Sequence, residues 1–558
     1  MESGKLKNAG RENLNLSANA LEVLERRYLL RDAKGRLIET PTQLFRRVAR
    51  TMALVEKKYG ATQKRIKEWE DRFYNMMTSL DFMPNTPCLM NAGARLRQLS
   101  ACFVVDVPDD LKGIAYALEA TAQIHQSGGG TGFSFSHLRP KGDRVASTGG
   151  KASGPISFMR IFDALTDTMK QGGVRRGANM GVLRVDHPDI LEFIRLKGDP
   201  KVMNNFNLSV AATDAFMRAA ENGKDYALIN PRTQKSSGKL NAREVLDLIA
   251  AQAWKTGDPG MIFIDEINRK NPTQHIGAIE ATNPCGEVPL HPWESCNLGS
   301  LNLARFVNGN GRMDWERLAK ATKDAVRFLD NMIDASEYPL EEIADMTRKN
   351  RRIGLGVMGF AEALILMGIP YDSDPALKAA EEIMSFVERE SVAMSQELGK
   401  ERGSFPNFKG SLWKKKGFKT MRNATTTAIA PTGTISIIAD CSSGIEPLFA
   451  ATFTRNVMEG AKLVERRTVF KGATALNISM EWHVRMQAAF QKFTHSAVSK
   501  TINLPLQSTA KEVLQALTLA WKLKCKGLTV YRYGSRLGQV LTLEDEGCTA
   551  EVCAGVTT

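Results

Sequence analysis

Short apolar runs alternate with helical stretches and glycine-rich loops from about residue 81 onward, and this alternation restricts the possible folds most strongly. Strands are predicted at 101–107, 207–211, 261–264 and 428–429. A helix is predicted at 379–398, where apolar side chains recur near one face and Gly399 follows. Strands that alternate with helices pair in parallel, because each helix carries the chain back along the sheet. The sequence therefore predicts an α/β fold.

The two ends of the chain differ from this region. The first part repeats apolar residues at helical spacing, whereas the last residues are small and polar. We therefore predict a helical N-terminal segment (1–80), an α/β domain (81–540) and a flexible C-terminal tail (541–558).

The chain carries 75 Lys and Arg residues against 61 Asp and Glu residues, which gives a net charge of +14. The basic residues form only short clusters, without a zinc-finger spacing or an RNA-binding aromatic motif. A solvated surface with phosphate pockets is therefore favoured over nucleic-acid binding. No apolar run is long enough to span a membrane, and the N-terminus lacks the apolar core of a secretion signal. We expect a cytoplasmic protein without a membrane anchor.

Eight cysteines are present, and none of the close pairs has the spacing of a zinc site, so that no structural metal is expected. In a reducing cytosol most of them are thiols, and any disulfide is catalytic or transient. The glycine-rich stretches, such as 128–132, indicate either tight turns or backbone that approaches a ligand closely. None has the ending of a nucleotide-binding phosphate loop, which argues against a nucleoside triphosphatase.

The segment from Asn283 to Glu287, with Cys285 at its centre, is the most informative part of the sequence. Its Asn-Pro and Cys-Gly pairs favour a turn or loop over a regular element. If the loop is extended, the three side chains project on the same side. A neighbouring carboxylate raises the pKa of a thiol and disfavours a thiolate nucleophile, so that loss of a hydrogen atom suits this cysteine better. Without further context, however, a cysteine in a polar loop usually has no special role.

This segment, followed by Cys296 eleven residues after Cys285, resembles the finger loop of ribonucleotide reductases. Further segments resemble the same family and occur in the family's order: 85–89, 99–103, 128–132, 147–154, 175–181 and 431–436. The resemblance extends from about residue 16 to residue 536. It implies a ten-stranded α/β barrel with a central finger loop, preceded by the helical segment.

The resemblance also implies how the residues act. Cys285 would carry a thiyl radical that removes the 3′ hydrogen of the substrate ribose. Glu287 would accept the 3′-hydroxyl proton as general base, and Asn283 would hold the sugar hydroxyls. Cys102 and Cys296 would supply two electrons by closing to a disulfide. For Cys102 alone, a buried thiol in an apolar strand would be the ordinary interpretation.

Substrate and effector sites follow from the resemblance as well. The hydroxyls and backbone N–H groups of 431–436 suit a phosphate, although a plain turn is equally compatible with the residues alone. The predicted substrate-binding residues are Thr86, Ala101, Gly130, Pro431, Thr432, Gly433, Thr434 and Ile435. Asp109, Arg139 and the loop 147–154 match the region that binds a deoxynucleoside triphosphate effector in the family.

The source of the radical separates the classes of the family. Class I relays it from a metal-bearing subunit through two consecutive tyrosines, but Tyr531 and Tyr533 are separated by Arg532 here. The glycyl-radical motif of class III is not matched. The amino-acid sequences of residues 529–534 and 134–170 resemble those of class II enzymes, which use adenosylcobalamin, a cobalt cofactor. We therefore predict adenosylcobalamin-dependent reduction of ribonucleotides.

Two alternatives remain open at this stage: a class I-type subunit that needs a radical-donating partner, and a non-catalytic nucleotide-binding regulator. Cys548 and Cys553 resemble shuttle cysteines that exchange with a thioredoxin-like or small dithiol reductant. We expect no ATP cone, a domain that precedes the barrel in many relatives. A homodimer is expected from the family.

Overall fold

The structure is a computed structural model, which describes residues 14–145, 149–169, 177–199, 202–457, 461–467, 474–535 and 541–543. Its helices are Ala18–Arg27, Pro41–Leu54, Gln63–Thr78, Thr86–Asn91, Leu111–Gln126, Pro155–Thr168, Ile190–Arg195, Asp214–Glu221, Ala242–Thr256, Ile264–Arg269, Trp315–Ala335, Glu341–Asn350, Phe360–Leu366, Asp374–Arg402, Leu412–Lys415, Ile435–Ile438, Met480–Gln491 and Ala510–Lys522.

The strands are numbered β1 to β17 in chain order. They are β1 Phe82–Pro84, β2 Cys102–Val105, β3 Gly130–Ser134, β4 Asn179–Arg184, β5 Phe206–Ala212, β6 Asp225–Ile229, β7 Ser236–Asn241, β8 Gly260–Phe263, β9 Ala281–Thr282, β10 Pro289–Leu290, β11 Glu294–Asn302, β12 Ile353–Met358, β13 Thr452–Val457, β14 Ala461–Arg466, β15 Thr501–Leu504, β16 Gly527–Arg532 and β17 Leu541–Leu543.

The helical N-terminal region follows from local sequence signals. Thr40 and Gln43 form a capping box at the start of Pro41–Leu54, and Thr62 caps Gln63–Thr78. Each cap satisfies backbone N–H groups that have no partner inside the helix. The apolar faces of these helices pack in one core with β12 and the long helix Asp374–Arg402.

The main sheet confirms the α/β fold and is built from two parallel halves. Strands β2, β3, β4, β5 and β8 are parallel to each other, as are β11 with β12 and β15 with β16. The halves meet in antiparallel pairs, β11 with β2 and β16 with β8. Parallel bridges from Leu355 to Thr427 and from Ile429 to Val498 join the remaining edges. The segment 427–429 thereby takes the place of the tenth strand and closes the barrel.

The predicted strands 101–107, 207–211 and 261–264 correspond to β2, β5 and β8 with shifted ends. The predicted strand 428–429 forms single bridges rather than a regular strand. The predicted helix 379–398 is confirmed and is longer than expected, because Ser373 caps its start and Gly403 follows its end.

A short hairpin of β9 and β10 occupies the inside of the barrel. Its apolar side chains pack with inward-facing residues of β2, β4 and β11, such as Val104 and Leu298. The hairpin backbone runs against β3, since a Cβ atom added to Gly132 would lie 1.9 Å from the carbonyl oxygen of Thr282. Glycine at this position is therefore required by the hairpin itself rather than by a ligand.

No helix in the described part of the chain is long and apolar enough to cross a membrane. Several predicted features lie outside the described residues: part of the effector loop (147–148), part of the segment 175–181 (175–176), and both tail cysteines, Cys548 and Cys553.

Candidate active site

A cavity of about 210 Å³ opens inside the barrel beside the hairpin. It is lined by four of the five predicted catalytic residues, Cys102, Asn283, Cys285 and Glu287. It is also lined by every predicted substrate-binding residue: Thr86, Ala101, Gly130, Pro431, Thr432, Gly433, Thr434 and Ile435. The fold therefore gathers residues from five distant parts of the chain around one space.

The loop from Asn283 to Glu287 forms a tight turn and is not extended. The N–H of Gly286 donates to the carbonyl oxygen of Asn283 at 3.1 Å, and Gly286 has a φ of +84°. Cys285 is exposed at the tip of this turn, whereas Asn283 and Glu287 are buried. The turn predicted from the Asn-Pro and Cys-Gly pairs is confirmed, because Gly286 supplies the left-handed residue that it needs, and the extended arrangement that would align the three side chains is not adopted.

Cys102 and Cys296 are direct cross-strand partners where the two halves of the barrel meet. Cys102 begins β2, and its register partner on the antiparallel strand β11 is Cys296. Both are buried and belong to the apolar cluster inside the barrel. The Cβ atoms of such partners are typically about 4.5–5.5 Å apart, so that a small adjustment brings two sulfurs within bonding distance. Cys296 lies behind Cys102 and does not line the cavity itself.

A buried ion pair lies next to Cys296. Glu294, two residues earlier on β11, accepts hydrogen bonds from Arg352 Nε and from Asn350 Nδ2, both at 2.7 Å. Burial raises the pKa of the Cys296 thiol well above its usual range, and the carboxylates of Glu294 and Glu287 raise it further, while Arg352 opposes them. Cys296 therefore stays protonated at neutral pH.

Asn283 connects the turn to Cys102. Its Nδ2 donates to Cys102 Sγ at 3.1 Å, and its Oδ1 accepts from the N–H of Val288 at 2.9 Å. The carbonyl oxygen of Glu287 accepts from the N–H of Ala497 at 2.7 Å, which anchors the other end of the turn to the barrel wall. The amide of Asn283 is thus fixed relative to the thiol of Cys102, and the backbone of Glu287 relative to the barrel wall.

The segment 431–435 forms one rim of the cavity. Thr432 is buried with a φ of +51°, and its hydroxyl accepts from the N–H of Gly444 at 2.7 Å. Arg455 Nη1 donates to the carbonyl oxygen of Gly433 at 3.2 Å. Interactions with neighbouring loops therefore hold this rim in place.

The end of the first helix, which the sequence did not single out, also reaches the cavity through Arg27, and Tyr28 directly after it contacts a lining residue. The hydroxyl of Tyr28 is 2.9 Å from that of Thr86, and Arg27 Nη1 donates to Thr434 Oγ1 at 3.3 Å. Arg27 lines the cavity. Its only signal in the sequence is an amphipathic helix that ends in two arginines, and this pattern does not predict a partner more than 400 residues away.

A second cavity of about 440 Å³ adjoins the first, and Pro284, Cys285 and Pro431 line both. Its wall combines apolar residues of β8 and β16 with amide side chains, among them Asn207. Tyr531 also lines it, whereas Tyr533 is buried against Phe449. Cys285 therefore stands between two spaces.

Asp109 and Arg139, the predicted effector residues, lie away from both cavities. Arg139 Nε donates to Asp109 Oδ2 at 2.8 Å, and the N–H of Arg139 donates to Asp109 Oδ1 at 3.1 Å. The pair thus braces the start of the loop that leads to residue 145.

Two family models match most of the chain. The barrel domain of ribonucleotide reductase matches residues 100–531, and the all-alpha domain of ribonucleotide reductase matches residues 14–97.

The chain is also similar to individual proteins along most of its length. The chain is 47% identical to a vitamin B12-dependent ribonucleoside-diphosphate reductase of Thermoplasma acidophilum, over 95% of this chain and 81% of that protein. It is 46% identical to a protein of the same name from Mycobacterium tuberculosis, with the same two coverages. A vitamin B12-dependent ribonucleotide reductase of Streptomyces clavuligerus is 30% identical over 94% of this chain and 66% of the relative.

Proposed function

Because the chain belongs to the ribonucleotide reductase family, we propose that it reduces ribonucleotides to 2′-deoxyribonucleotides by radical chemistry at Cys285. The observation that carries this proposal is the convergence of Cys285, Cys102, Asn283 and Glu287 on one cavity, with Cys296 paired behind Cys102. A regulator without catalysis would not need this set of thiols.

The residues divide the reaction between them. Cys285, as a thiyl radical, removes the 3′ hydrogen atom, and Glu287 accepts the proton of the 3′-hydroxyl group. The 2′-hydroxyl group then leaves as water, which consumes two electrons and two hydrogens overall. Cys102 and Cys296 supply both as they close to a disulfide, and Cys285 finally returns its hydrogen atom to the 3′ carbon. The protonated state of Cys296 suits this role, since a thiolate has no hydrogen to give.

We propose that the second cavity receives the adenosyl end of adenosylcobalamin, the source of the radical. The cavity reaches Cys285 from the side away from 432–435, and its amide side chains suit the polar edge of a nucleoside. When bound, this cofactor would supply the organic radical that accepts the hydrogen atom of the Cys285 thiol and leaves a thiyl radical. No histidine lines this cavity among the described residues.

We expect the purified chain to reduce CDP or CTP when adenosylcobalamin and dithiothreitol are the only additions. Cys285 lies between the two cavities, so that a radical formed in the second cavity can reach it without a relay from a second protein. Product formation is measured by chromatography, and cofactor binding by co-elution of the cobalamin absorbance with the protein.

A class I-type mechanism makes the opposite prediction. Turnover that requires a metal-bearing second subunit, with no cobalamin bound, would replace the proposal by that alternative. Tyr531→Phe serves as a matched variant, since a tyrosine relay would fail without its hydroxyl group whereas a cobalamin-dependent reaction would continue.

We also propose a homodimer with an effector site near Asp109 and Arg139. Leu111 and Ile161 are exposed by 75% and 48%, on two helices that pack together beside this ion pair. A contiguous exposed apolar patch on two packed helices would favour an interface. Light scattering should give a dimer for the native chain and a monomer for Leu111→Asp. Leu366→Asp, at a similarly exposed apolar position elsewhere, should remain dimeric; a monomeric native chain would contradict the proposal.

The remaining partners follow from the same function. We propose that the tail cysteines, Cys548 and Cys553, pass electrons from a thioredoxin-like or small dithiol reductant to Cys102 and Cys296. We also propose that the chain divides into three parts, with boundaries after residues 80 and 540. The protein is proposed to be cytoplasmic.

A further inference from the structure

The substrate cavity has an uneven distribution of charge. Of the described residues that line it, only Arg27 and Glu287 carry a charge. Glu287 lies next to Cys285 in the turn, where the ribose is expected. A substrate with two or three phosphate groups brings several negative charges into this space, and Arg27 is the only cationic side chain there.

Arg27 is available for a ligand. It forms no salt bridge among the described residues, in contrast to its neighbour Arg26, which pairs with Glu22 at 2.8 Å. Its Nε atom is buried and has no hydrogen-bond partner in the described part of the chain. A buried guanidinium nitrogen without an acceptor is costly, and an anion at this position would satisfy it.

The rim 431–435 indicates which part of a nucleotide Arg27 would meet. Pro431 lines both cavities, as Cys285 does, so that the rim begins near the sulfur atom. Thr434 lines the first cavity only, and it is the residue that Arg27 contacts. Arg27 therefore meets the rim at Thr434, three residues after Pro431, where we expect the phosphate groups rather than the ribose.

On the basis of the proposed function, we propose that Arg27 binds the terminal phosphate group of the ribonucleotide substrate. The helix Ala18–Arg27 is then part of the active site rather than a support for the barrel. Tyr28 strengthens this arrangement, because its hydrogen bond to Thr86 fastens the same end of the helix to the cavity wall. The planar guanidinium group suits a phosphate better than an ammonium group, since it donates two parallel hydrogen bonds.

The test is the affinity of the full-length protein for CDP and for CMP, measured by calorimetry without cofactor. Arg27→Gln should weaken CDP binding about 10- to 100-fold, the range expected for a lost charge-assisted contact, and should leave CMP binding within about twofold. The CDP affinity of Arg27→Lys should lie between those of the native chain and of Arg27→Gln. In turnover assays the KM for CDP should rise in proportion while kcat stays within about twofold.

Arg26→Gln is the matched control, because Arg26 is a neighbouring arginine on the same helix that lines neither cavity. It should change none of these values. Equal weakening of CDP and CMP by Arg27→Gln, or unchanged CDP binding, would overturn the proposal. If Arg27→Gln does not fold, Arg27→Lys decides, since unchanged CDP affinity in that variant also overturns it. A native chain that binds CDP but never reduces it would instead refute the proposed function and leave the role of Arg27 intact.

Discussion

Replacing Cys285 by serine is expected to lower turnover on the order of 10⁴-fold or more, with nucleotide affinity within about threefold of the native value. Serine has nearly the same shape, but its O–H bond is far harder to break homolytically than an S–H bond. The turn survives the change, because the backbone hydrogen bond from Gly286 to Asn283 holds it. Turnover is followed with adenosylcobalamin and dithiothreitol, and CDP affinity by calorimetry.

Cys525→Ser is the matched control, since Cys525 is a buried thiol in the outer core and lines neither cavity. It should keep native turnover at a cost in stability of about 1–3 kcal/mol, from the buried hydroxyl group. If Cys285→Ser keeps more than about one tenth of the native turnover, the radical assignment cannot stand.

The sequence was most informative where chemistry is concentrated in a short segment. Asn283, Cys285 and Glu287 lie within five residues, so that their proximity did not depend on the fold. The alternation of strands and helices likewise predicted parallel pairing, because that periodicity is a local property. The turn at Gly286 was also predictable, because the Asn-Pro and Cys-Gly pairs are local signals.

Other features depend on long-range geometry, which a single sequence does not contain. The pairing of Cys102 with Cys296 depends on the register of two antiparallel strands. The closure of the barrel at 427–429 rests on isolated bridges rather than on a strand long enough to show a pattern. The contact of Arg27 with Thr434 joins the first helix to a distant loop.

The register of β2 and β11 leads to the second large effect. Replacing either Cys102 or Cys296 by serine should lower steady-state turnover on the order of 10³-fold, because the substrate then lacks its two-electron donor. Cys285 is intact in these variants, so that cleavage of the 3′ carbon–hydrogen bond should continue. Release of tritium from [3′-³H]CDP measures that step separately from product formation, and Cys285→Ser should abolish both.

The double variant distinguishes a dithiol from two independent thiols. If Cys102 and Cys296 act as one redox unit, removing the second cysteine costs nothing further, and the double variant should match each single variant within about threefold. Independent roles would instead multiply the two losses. Steady-state rates with dithiothreitol decide between these outcomes. Native turnover in either single variant would show that electrons reach the ribose by another route, and the cross-strand pair would then be a structural feature of the barrel alone.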